Sequence, residues 1–223
     1  MARVTDITAG DNPPRRYDSP RRREQAAATR ELILDAAQAL FERDGYAATA
    51  MAAIAAKAGV SLKTVYLAFE TKSGLLRAIW HRVLRGQRDD VPVGEQTWFR
   101  RVLDEPDPVR QLHLNAHNSR AVKERAGAIM EVIHAAAPGD ADIGALWGRI
   151  QAEFHANQRS VVESLNAKGA LRPDLDVDAA ADILWTLNHP TVYRLLADDR
   201  GWTPDRFERW LAEVFCSELL ARN

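Results

Sequence analysis

The strongest pattern of apolar and polar positions in the chain lies in residues 49–69 and predicts two short helices joined by a tight turn. Ile54, Ala55 and Ala58 recur at helical spacing, so the first helix has one apolar face. Gly59 follows at the point where a helix end needs a residue that tolerates positive φ. The first helix is therefore expected to end at Ala58.

The second helix of this pair begins at Ser61, a good N-cap, and buries Val65 and Phe69, which lie four residues apart. The polar side chains that remain face outward, and they are Ser61, Lys63, Thr64 and Tyr66. A short helix with hydroxyls, a cation and a phenol on one face suits a groove of DNA. Two interpretations stay open, a DNA-binding hairpin and a plain αα-hairpin within a helical bundle.

The segments on either side favour the DNA-binding interpretation. Upstream, residues 29–43 predict an amphipathic helix that ends at Asp44-Gly45. Downstream, Thr71 can cap a further helix with Lys72 in its first turn. A cation at that position opposes the helix dipole unless an anion such as a DNA phosphate lies nearby. The alternative for Lys72 is a solvated surface lysine.

Several short segments continue this pattern in one order and without gaps. They are Leu40-Phe41, Gly45-Tyr46, Ile54-Ala55, Ala58-Gly59-Val60-Ser61, Thr64-Val65-Tyr66, Phe69, Lys72 and Leu75-Leu76. Together they resemble the TetR family of bacterial transcriptional regulators. The resemblance implies an all-α fold with an N-terminal three-helix helix-turn-helix DNA-binding domain at residues 27–87, its helix-turn-helix at 50–69. A larger helical ligand-binding and dimerisation domain would follow at residues 88–223.

The resemblance also implies which side chains meet DNA. The second helix of the hairpin would enter the major groove, where Leu62, Lys63 and Thr64 approach base edges or phosphates. The hydroxyl of Tyr66 and the ammonium of Lys72 would each meet a phosphate. Lys63 can donate to guanine O6 or N7, and Thr64 can pair with a base edge or touch a thymine methyl. The full predicted set is Thr49, Ser61, Leu62, Lys63, Thr64, Tyr66, Lys72, Arg21, Arg22 and Arg23.

Three alanines depart from the family pattern and narrow this surface. Ala50 and Ala52 stand where many relatives carry threonine or other polar residues, so Thr49 is the side-chain candidate for capping the first helix. Ala68 stands where relatives often have histidine or a basic residue, which removes one contact. Side-chain contacts to DNA would then come mostly from the second helix and from Lys72.

Charge is distributed unevenly along a chain whose formal net charge is −1. Residues 1–85 hold 14 basic and 9 acidic side chains, against 16 and 22 in residues 86–223. The positive potential therefore lies on the half that carries the hairpin, as phosphate binding requires. Residues 1–26 are rich in proline and arginine and start without helical periodicity, which predicts a disordered arm. Such an arm either enters the adjacent minor groove or adds only non-specific attraction.

Beyond a predicted domain boundary at residues 86–94, apolar periodicity continues without strand-like alternation. Two last helices, from the Asp176 cap to about Asp199 and from Thr203-Pro204 onward, carry broad apolar stripes. The resemblance implies a homodimer that pairs through two C-terminal helices of each subunit, and packing inside one subunit is the alternative. The predicted interface residues are Trp185, Val192, Leu195, Phe207, Trp210, Leu211, Val214 and Phe215.

The resemblance places a mostly apolar cavity for a small effector between the two ends of the chain. The predicted lining residues are Trp147, Ile150, Phe154, Trp185, His189 and Tyr193. Pro190 cannot donate to the carbonyl of Thr186 and should kink its helix, which would free polar groups beside Asn188. The alternative is a structural kink with a hydrogen-bonded core histidine.

His113 and His117 lie four residues apart and could face one metal ion, but no adjacent glutamate or further ligand cluster accompanies them. We therefore expect surface or pocket histidines, no metal, no cofactor and no enzyme. Cys216 is the only cysteine, which favours a reducing cytoplasm, and it is expected in the core or an interface rather than as a redox sensor. No apolar run approaches the length of a membrane span.

These features predict a cytoplasmic, homodimeric repressor that binds a palindromic double-stranded DNA operator and is released by a small apolar effector. Two hairpins about one DNA turn apart would match the two half-sites of a palindrome. One alternative is a DNA-binding regulator without a small-molecule effector, governed by a protein partner or acting as an activator. A second, from another class, is a helical metal-dependent enzyme that uses His113 and His117.

Overall fold

The computed structural model describes residues 20–85 and 92–221. The α-helices in these residues are α1 (Pro20–Asp44), α2 (Met51–Ala58), α3 (Leu62–Phe69), α4 (Lys72–Arg85), α5 (Thr97–Asp104), α6 (Pro108–Ala136), α7 (Ala141–Ala167), α8 (Val177–Leu187), α9 (Pro190–Ala197) and α10 (Pro204–Leu219). Short 3₁₀ turns lie at Val93–Glu95 and Ala137–Gly139, and an isolated antiparallel bridge joins Leu171 to Leu220. The predicted all-α fold is confirmed.

The first four helices, which we call the N-terminal unit, pack around the apolar stripe of α1. Ile33, Ala37 and Phe41 recur at helical spacing and are fully buried. Ile54 from α2 and Val65 from α3 are fully buried in the same cluster. The two short helices of the hairpin are therefore held against two longer ones, α1 and α4.

This N-terminal core extends beyond α4. The second half of α6 contributes Ile129 and Ile133, and the first half of α7 contributes Ile143 and Leu146, all in the same cluster of buried residues. The N-terminal unit therefore shares one apolar core with the ends of two long helices. Between them, the two long helices contact α1 and α4, the helices against which the hairpin packs.

A second cluster, the C-terminal core, fills the other end of the molecule. It is built from α5, the first half of α6, the second half of α7, α8 and α10, and Phe99, Leu112, Val161, Leu184 and Phe215 are at most 3% exposed within it. The long helices α6 and α7 therefore run through both cores. They form the physical connection between the hairpin and the C-terminal helices.

Residues 20–26 correct the predicted disordered arm. Pro20 begins α1, and Arg21, Arg22 and Arg23 lie in its first turns. The helix starts here because proline is favoured at the first helical position and strong helix formers follow it. Residues 1–19 of the predicted arm, and residues 86–91 of the predicted boundary, lie outside the described residues.

The helix predicted from Asp176 to Asp199 is two helices in the structure. The cap by Asp176 is confirmed, since its Oδ1 accepts a 2.7 Å hydrogen bond from an N–H of α8. However, α8 ends at Leu187, and α9 begins at Pro190 with His189 as its N-cap. At the first helical position the missing N–H of proline leaves no helical hydrogen bond unmade, so Pro190 starts a helix instead of kinking one.

In residues 20–85 and 92–221, no single helix is both long and apolar enough to cross a membrane. Among these residues, α2 and α3 are long and apolar enough only when they are counted as one segment, and the two helices are bent by 106° with respect to each other. Both bury their apolar residues in the N-terminal core.

Candidate DNA-binding site and ligand cavity

The hairpin of α2 and α3 has the capping residues that the sequence predicts. Gly59 ends α2 with a φ of 69°, a left-handed value that glycine adopts at little cost. Ser61 caps α3, and its Oγ accepts a 3.1 Å hydrogen bond from the Thr64 N–H. These caps end one helix and start the next within three residues, which produces the sharp bend between them.

The α3 helix is buried on one side and open on the other. Val65 and Phe69 face the core, while Leu62, Lys63 and Tyr66 are exposed. The open side therefore offers an ammonium, a phenol and an apolar side chain. These chemical groups can read base edges and meet phosphates in a DNA groove.

Two further side chains shape this open side of α3. The hydroxyl oxygens of Ser61 and Thr64 lie 2.8 Å apart, so the two groups are hydrogen-bonded to each other. Leu67 is 77% exposed, and sequence reasoning missed it. Its place two residues after Val65 sets it about 200° around the helix from a core position, which is the signal that could have found it.

Thr49 does not cap α2, which corrects its predicted role. The N-cap is Ala50, and no side chain hydrogen-bonds there. Thr49 is 3% exposed, and its Oγ1 donates a 2.8 Å hydrogen bond to the carbonyl oxygen of Gly45. A buried hydroxyl whose hydrogen is used in this way cannot reach a DNA phosphate. The start of α2 therefore has only its backbone N–H groups to offer an anion.

Lys72 is also engaged within the chain, and its predicted phosphate contact stays a prediction. Its Nζ donates to the carbonyl oxygens of Tyr46 at 2.9 Å and Thr49 at 3.1 Å, and it lies 4.4 Å from the centroid of the Tyr46 ring. These acceptors explain a cation in the first turn of α4, because backbone carbonyls carry partial negative charge. Lys72 therefore fastens the turn before α2 to the start of α4.

Arg30 on α1 holds the end of α3, and sequence reasoning missed this contact. Its Nη1 donates a 2.9 Å hydrogen bond to the Ala68 carbonyl, and its guanidinium lies 4.1 Å from the centroid of the Phe69 ring. Carbonyls at a helix C-terminus lack helical partners and attract cations. The spacing of apolar residues does not predict this contact, because Arg30 and Ala68 are 38 residues apart in the chain.

A strained turn sets α3 against α4. Glu70 has φ 58° and ψ −53°, a conformation that residues other than glycine rarely adopt. The Thr71 N–H donates across it to the Phe69 carbonyl at 2.5 Å, which is the geometry of a γ-turn. Gly74 packs so closely on the same carbonyl that a Cβ would lie 2.6 Å from its oxygen. This close packing leaves little freedom between the two helices.

The basic start of α1 projects beyond the N-terminal core. Residues 21–28 are all exposed, and Arg21, Arg22 and Arg23 lie among them. The positive charge predicted for this segment is therefore presented from a helix rather than from a flexible arm.

Two hydrogen bonds join the N-terminal unit to the start of α7. The hydroxyl of Tyr46 donates to Oδ2 of Asp140 at 2.8 Å, and that of Ser73 donates to Oδ2 of Asp142 at 3.1 Å. The bond from Tyr46 holds the pKa of the Asp140 carboxyl below its usual value. Burial, followed by the same bond, raises the pKa of the Tyr46 phenol. The pair therefore stays in its hydrogen-bonded form across the neutral pH range.

A cavity of about 100 Å³ lies between α4, α5, α6 and α7. Trp80 and Leu84 from the last turns of α4 line it, with Trp98 from α5 and Phe154 from α7, and its walls are mostly apolar. One end of α4 therefore borders the cavity, while Lys72 at the other end holds the turn before α2.

One wall of the cavity is polar and buried. Lys123 Nζ donates to Asn188 Oδ1 at 2.5 Å, and Asn188 Nδ2 donates to Ser119 Oγ at 2.8 Å and to Gln158 Oε1 at 3.3 Å. Burial lowers the pKa of Lys123 to about 7. Asn188 reaches this wall from the break between α8 and α9.

Sequence reasoning missed the polar wall, although α6 carries a signal for it. Asn115, Ser119 and Lys123 recur every four residues and are all buried, so one stripe of the helix carries all three. A polar stripe on the buried face of a helix is uncommon, because such groups lose their hydration on folding.

Of the six residues predicted to line a pocket, the structure places Ile150 and Phe154 in the cavity wall. Trp147 instead packs against His134, with ring centroids 4.7 Å apart. Its predicted role is therefore corrected. Both Ile150 and Trp147 lie on α7, but only one of them faces the space between the helices.

The other three predicted pocket residues also lie outside the cavity lining. Trp185 and His189 pack on each other with ring centroids 5.1 Å apart, and His189 is the N-cap of α9. Tyr193 packs edge-on against Phe207 at 4.8 Å. The helix break turns these rings toward one another, so the pocket prediction is corrected for all three.

The predicted dimer interface is partly buried inside one subunit. Phe207, Leu211 and Phe215 are fully buried in the C-terminal core and cannot face a second chain, which corrects their assignment. They are needed there because α10 packs along α6 and α8. The predicted interface residues that keep exposed surface are Trp185, Val192, Leu195, Trp210 and Val214.

His113 and His117 are exposed, and His117 Nδ1 lies 3.1 Å from Glu208 Oε1 on α10. Across residues 20–85 and 92–221, no group of three or more His, Cys, Asp and Glu side chains is arranged to hold a metal ion. Cys216 is partly buried against the C-terminal core, and burial raises the pKa of its thiol.

The capped hairpin, the open side of α3 and the cavity behind α4 are features of a helix-turn-helix DNA-binding regulator. The family model for bacterial regulatory proteins of the tetR family matches residues 33–79, from the core stripe of α1 into α4. The chain belongs to the TetR family of transcriptional regulators. It is therefore a DNA-binding transcriptional regulator, and its family is not one of enzymes.

Two relatives match this chain in sequence, one over half of its length and the other over most of it. The HTH-type transcriptional regulator AcrR of Shigella flexneri is 30% identical over 114 residues, which span 50% of this chain and 50% of that protein. The probable HTH-type transcriptional regulator ArpR of Pseudomonas putida is 28% identical over 199 residues, 86% of this chain and 91% of that protein.

A solved structure shows that the whole fold is shared. SmeT, the repressor of the Stenotrophomonas maltophilia multidrug efflux pump SmeDEF, has been solved as a complex with triclosan. That structure matches with a TM-score of 0.69 at 22% sequence identity and covers 88% of this chain and 93% of SmeT.

Proposed function

We propose that this regulator is a homodimeric repressor that acts in the cytoplasm, binds a palindromic double-stranded operator through α3 and leaves it when a small molecule occupies the cavity. Residues 27–87 would bind DNA, and residues 88–223 would bind the effector and pair the subunits. The observation that carries the proposal is the placement of α4. Lys72 at its start holds the turn before α2, and Trp80 and Leu84 near its end line the cavity.

The proposed groove contacts come from the open side of α3. The ammonium of Lys63 can donate to guanine O6 or N7, and the hydroxyl of Tyr66 can meet a phosphate. Leu62 and Leu67 offer apolar contact, which suits a thymine methyl. The arginines at residues 21–23 add charge that attracts the phosphate backbone.

Operator binding by Lys63→Ala and Tyr66→Phe tests these contacts. Footprinting on the DNA beside the gene locates the operator, and binding is then measured over a range of salt concentrations. We expect Lys63→Ala to cost about 1–3 kcal/mol of binding free energy, with relaxed specificity at one base pair if it reads a base. If Lys63 meets a phosphate instead, the salt slope should fall by about 1.

Arg100→Ala is the matched control for these two variants, because Arg100 is exposed on α5 in the C-terminal half of the chain. It should bind the operator as the wild type does. If Lys63→Ala and Tyr66→Phe also bind like the wild type with an unchanged salt slope, α3 is not the DNA-contacting helix.

Release by an effector is supported by α7 as well as by α4. Its first residues bond to Tyr46 and Ser73, and further along the same helix Phe154 lines the cavity. A ligand can shift the operator equilibrium only by its difference in affinity for the bound and released states, typically a few kcal/mol. SmeT with triclosan supports the idea that such a fold accommodates a small molecule.

A cavity-filling variant tests effector release. Ile150→Phe should keep operator binding and lose release by any small molecule that frees the wild type, because the added ring occupies the cavity. If ligands bind the wild-type cavity without changing operator affinity, the protein is a DNA-binding regulator controlled in another way, for example by a protein partner.

The proposed dimer pairs through the exposed sides of α9 and α10. Leu195 is 46% exposed on α9, and Trp210 and Val214 keep part of their surface on α10. Leu195→Glu should convert a dimer to a monomer in sedimentation experiments. Leu32→Glu, at a leucine on α1 that is 55% exposed, is the control and should stay dimeric. A monomeric wild type would refute the pairing and with it the palindromic operator.

A further inference from the structure

We propose that the cavity takes a weak organic acid, a small apolar body bearing one carboxylate, and that Lys123 is the residue that selects it. The inference rests on the proposed function, because it names the chemical class of the molecule that would release the operator.

The Lys123 ammonium is isolated in the wall of the cavity. Its side chain lines the cavity and the residue is 6% exposed. Within the described part of the chain its Nζ makes one hydrogen bond, to Asn188 Oδ1, and lies 5.7 Å from the centroid of the Phe207 ring. Among the described residues no ion pair of Lys123 is formed, and Glu153, which lines the same cavity, is engaged in an interaction of its own. A buried cation without a counter-charge is costly, so a negatively charged partner from outside would relieve it.

The side-chain amides around Lys123 are oriented by their own hydrogen bonds. Asn188 uses its Nδ2 to donate to Ser119 and Gln158, and its oxygen is thereby turned toward Lys123. Asn115 donates to the same oxygen of Gln158 at 3.2 Å. These neighbours hold the ammonium in place and leave two of its three hydrogens without an acceptor among the described residues.

The same cavity has a second polar group, the side-chain amide of Gln151. Gln151 lines it, and both the nitrogen and the oxygen of its side-chain amide are buried without a hydrogen-bond partner in the described residues. Buried amides are normally paired, so an unpaired one beside a cavity indicates a partner that arrives with the ligand. The nitrogen of Gln151 is a further donor to a carboxylate.

The apolar walls and the volume of the cavity limit the polarity and the size of the ligand body that carries the carboxylate. Trp98, Phe99, Ile150 and Phe154 provide flat and branched apolar surface. The volume of about 100 Å³ is below the roughly 150 Å³ of a protein cavity that holds benzene. The body of the ligand is therefore a short chain or at most a single ring, and a ring requires the side chains that line the cavity to move outward.

Small ligands of similar shape but different charge test whether the cavity prefers a carboxylate. Benzoate and hexanoate carry the proposed group, benzamide and hexanamide replace it with a neutral one, and benzylamine replaces it with a cation. Calorimetric titration of the full chain should give dissociation constants at least about tenfold lower for each acid than for its amide, since hydrogen bonds to charged groups are the stronger ones. Benzylamine should not bind.

Two variants of the cavity wall assign the effect to the cation. Lys123→Met keeps most of the side-chain volume and should erase the preference for acids. Asn157→Leu, the matched control, removes a polar side chain from the lining of the same cavity but keeps the cation, so acids should still bind more tightly than amides. The inference is overturned if amides bind as well as acids, if Lys123→Met keeps the preference, or if none of the five probes binds at millimolar concentration.

A separate operator-release assay keeps this inference distinct from the proposed function. If acids bind through Lys123 but leave operator affinity unchanged, the ligand class stands and effector release fails. If neutral apolar molecules release the operator while the acids do not bind, effector release stands and the ligand class is wrong.

Discussion

The hydroxyl of Tyr46 donates a 2.8 Å hydrogen bond to Oδ2 of Asp140, although 94 residues separate the two in the chain. Tyr46 lies in the turn before α2, and Asp140 is the N-cap of α7, where its Oδ1 accepts hydrogen bonds from backbone N–H groups of that helix. The Asp140 carboxylate therefore caps α7 and also binds the turn before α2. A shift of α7, which also walls the cavity, moves the acceptor that positions the turn before α2.

Tyr46→Phe should weaken the coupling between cavity and operator more than it weakens operator binding. Phenylalanine keeps the ring that packs against Phe41 at 5.6 Å and loses only the hydroxyl. The free energy of unfolding should fall by about 1–3 kcal/mol, because a hydrogen bond to a charged acceptor is lost. The ratio of operator dissociation constants with and without a releasing ligand measures the coupling, and it should move toward one. An unchanged ratio would show that α4 alone transmits the signal.

Lys72→Met should lower stability without changing the salt dependence of DNA binding. Methionine retains an apolar stem over the Tyr46 ring but cannot donate to the carbonyls of Tyr46 and Thr49. Loss of these charge-assisted bonds should cost about 1–3 kcal/mol of unfolding free energy, measured by chemical denaturation. Operator affinity should fall because α2 is held less firmly, with the same slope against salt as in the wild type. A slope reduced by about 1 would mean that Lys72 contacts a phosphate after all.

The local features of this fold can be predicted from the sequence because they depend on neighbouring residues. The caps at Gly59, Ser61 and Asp176 each satisfy backbone groups within one turn, and the core stripe of α1 follows from helical spacing alone. The same reasoning places the hairpin correctly and identifies the polar residues on the open side of α3.

Predictions failed where the deciding partner is distant in the chain. Lys72 has a residue type suited to DNA, but its ammonium lies against backbone carbonyls 26 and 23 residues away, which no local pattern predicts. Thr49 is an exception, since its hydroxyl donates to the carbonyl of Gly45 only four residues back. Phe207 lies on a stripe broad enough for an interface, yet it is fully buried, with Tyr193 of α9 and Lys123 of α6 beside its ring. For the cavity, aromatic content alone does not say which face of a helix is open, and the polar stripe that contains Ser119 and Lys123 was the better signal.

Gly74→Ala should disturb the junction of α3 and α4. The new Cβ would lie 2.6 Å from the Phe69 carbonyl oxygen and 3.1 Å from Thr71 Oγ1, so backbone must move. Overpacking of this kind costs about 1–3 kcal/mol, and operator affinity should fall because α3 is displaced. Thermal unfolding and operator titration measure the two effects.

Gly127→Ala provides the matched control for this substitution. Gly127 lies within α6, and a Cβ there has nothing within 4 Å. Alanine is the better helix former, so this variant should gain about 0.5–1 kcal/mol of stability and bind the operator normally. If Gly74→Ala behaves like Gly127→Ala, the turn at Glu70 is not what sets the angle of α3.

Lys123→Met should make the protein more stable, and by an amount that depends on pH. Burial lowers the pKa of Lys123 from 10.5 to about 7, so between these values the unfolded chain binds the proton and the folded chain does not. Wild-type stability therefore rises with pH across that window, at up to about 1.4 kcal/mol for each pH unit. Below about pH 7 both states are protonated, and the folded protein carries the whole cost of burying a charge.

Methionine removes this cost and loses one hydrogen bond to Asn188, worth about 1 kcal/mol. The stability gained by the variant should therefore be greatest at pH 6, decrease as the pH rises, and become a small loss near pH 10. Denaturant unfolding at a series of pH values measures the difference, and Lys57→Met, at an exposed lysine on α2, controls for the loss of one positive charge. A difference in stability between Lys123→Met and the wild type that stays constant across the series would mean that the Lys123 ammonium already has a counter-charge in the folded protein. The ammonium would then not need the carboxylate of a ligand.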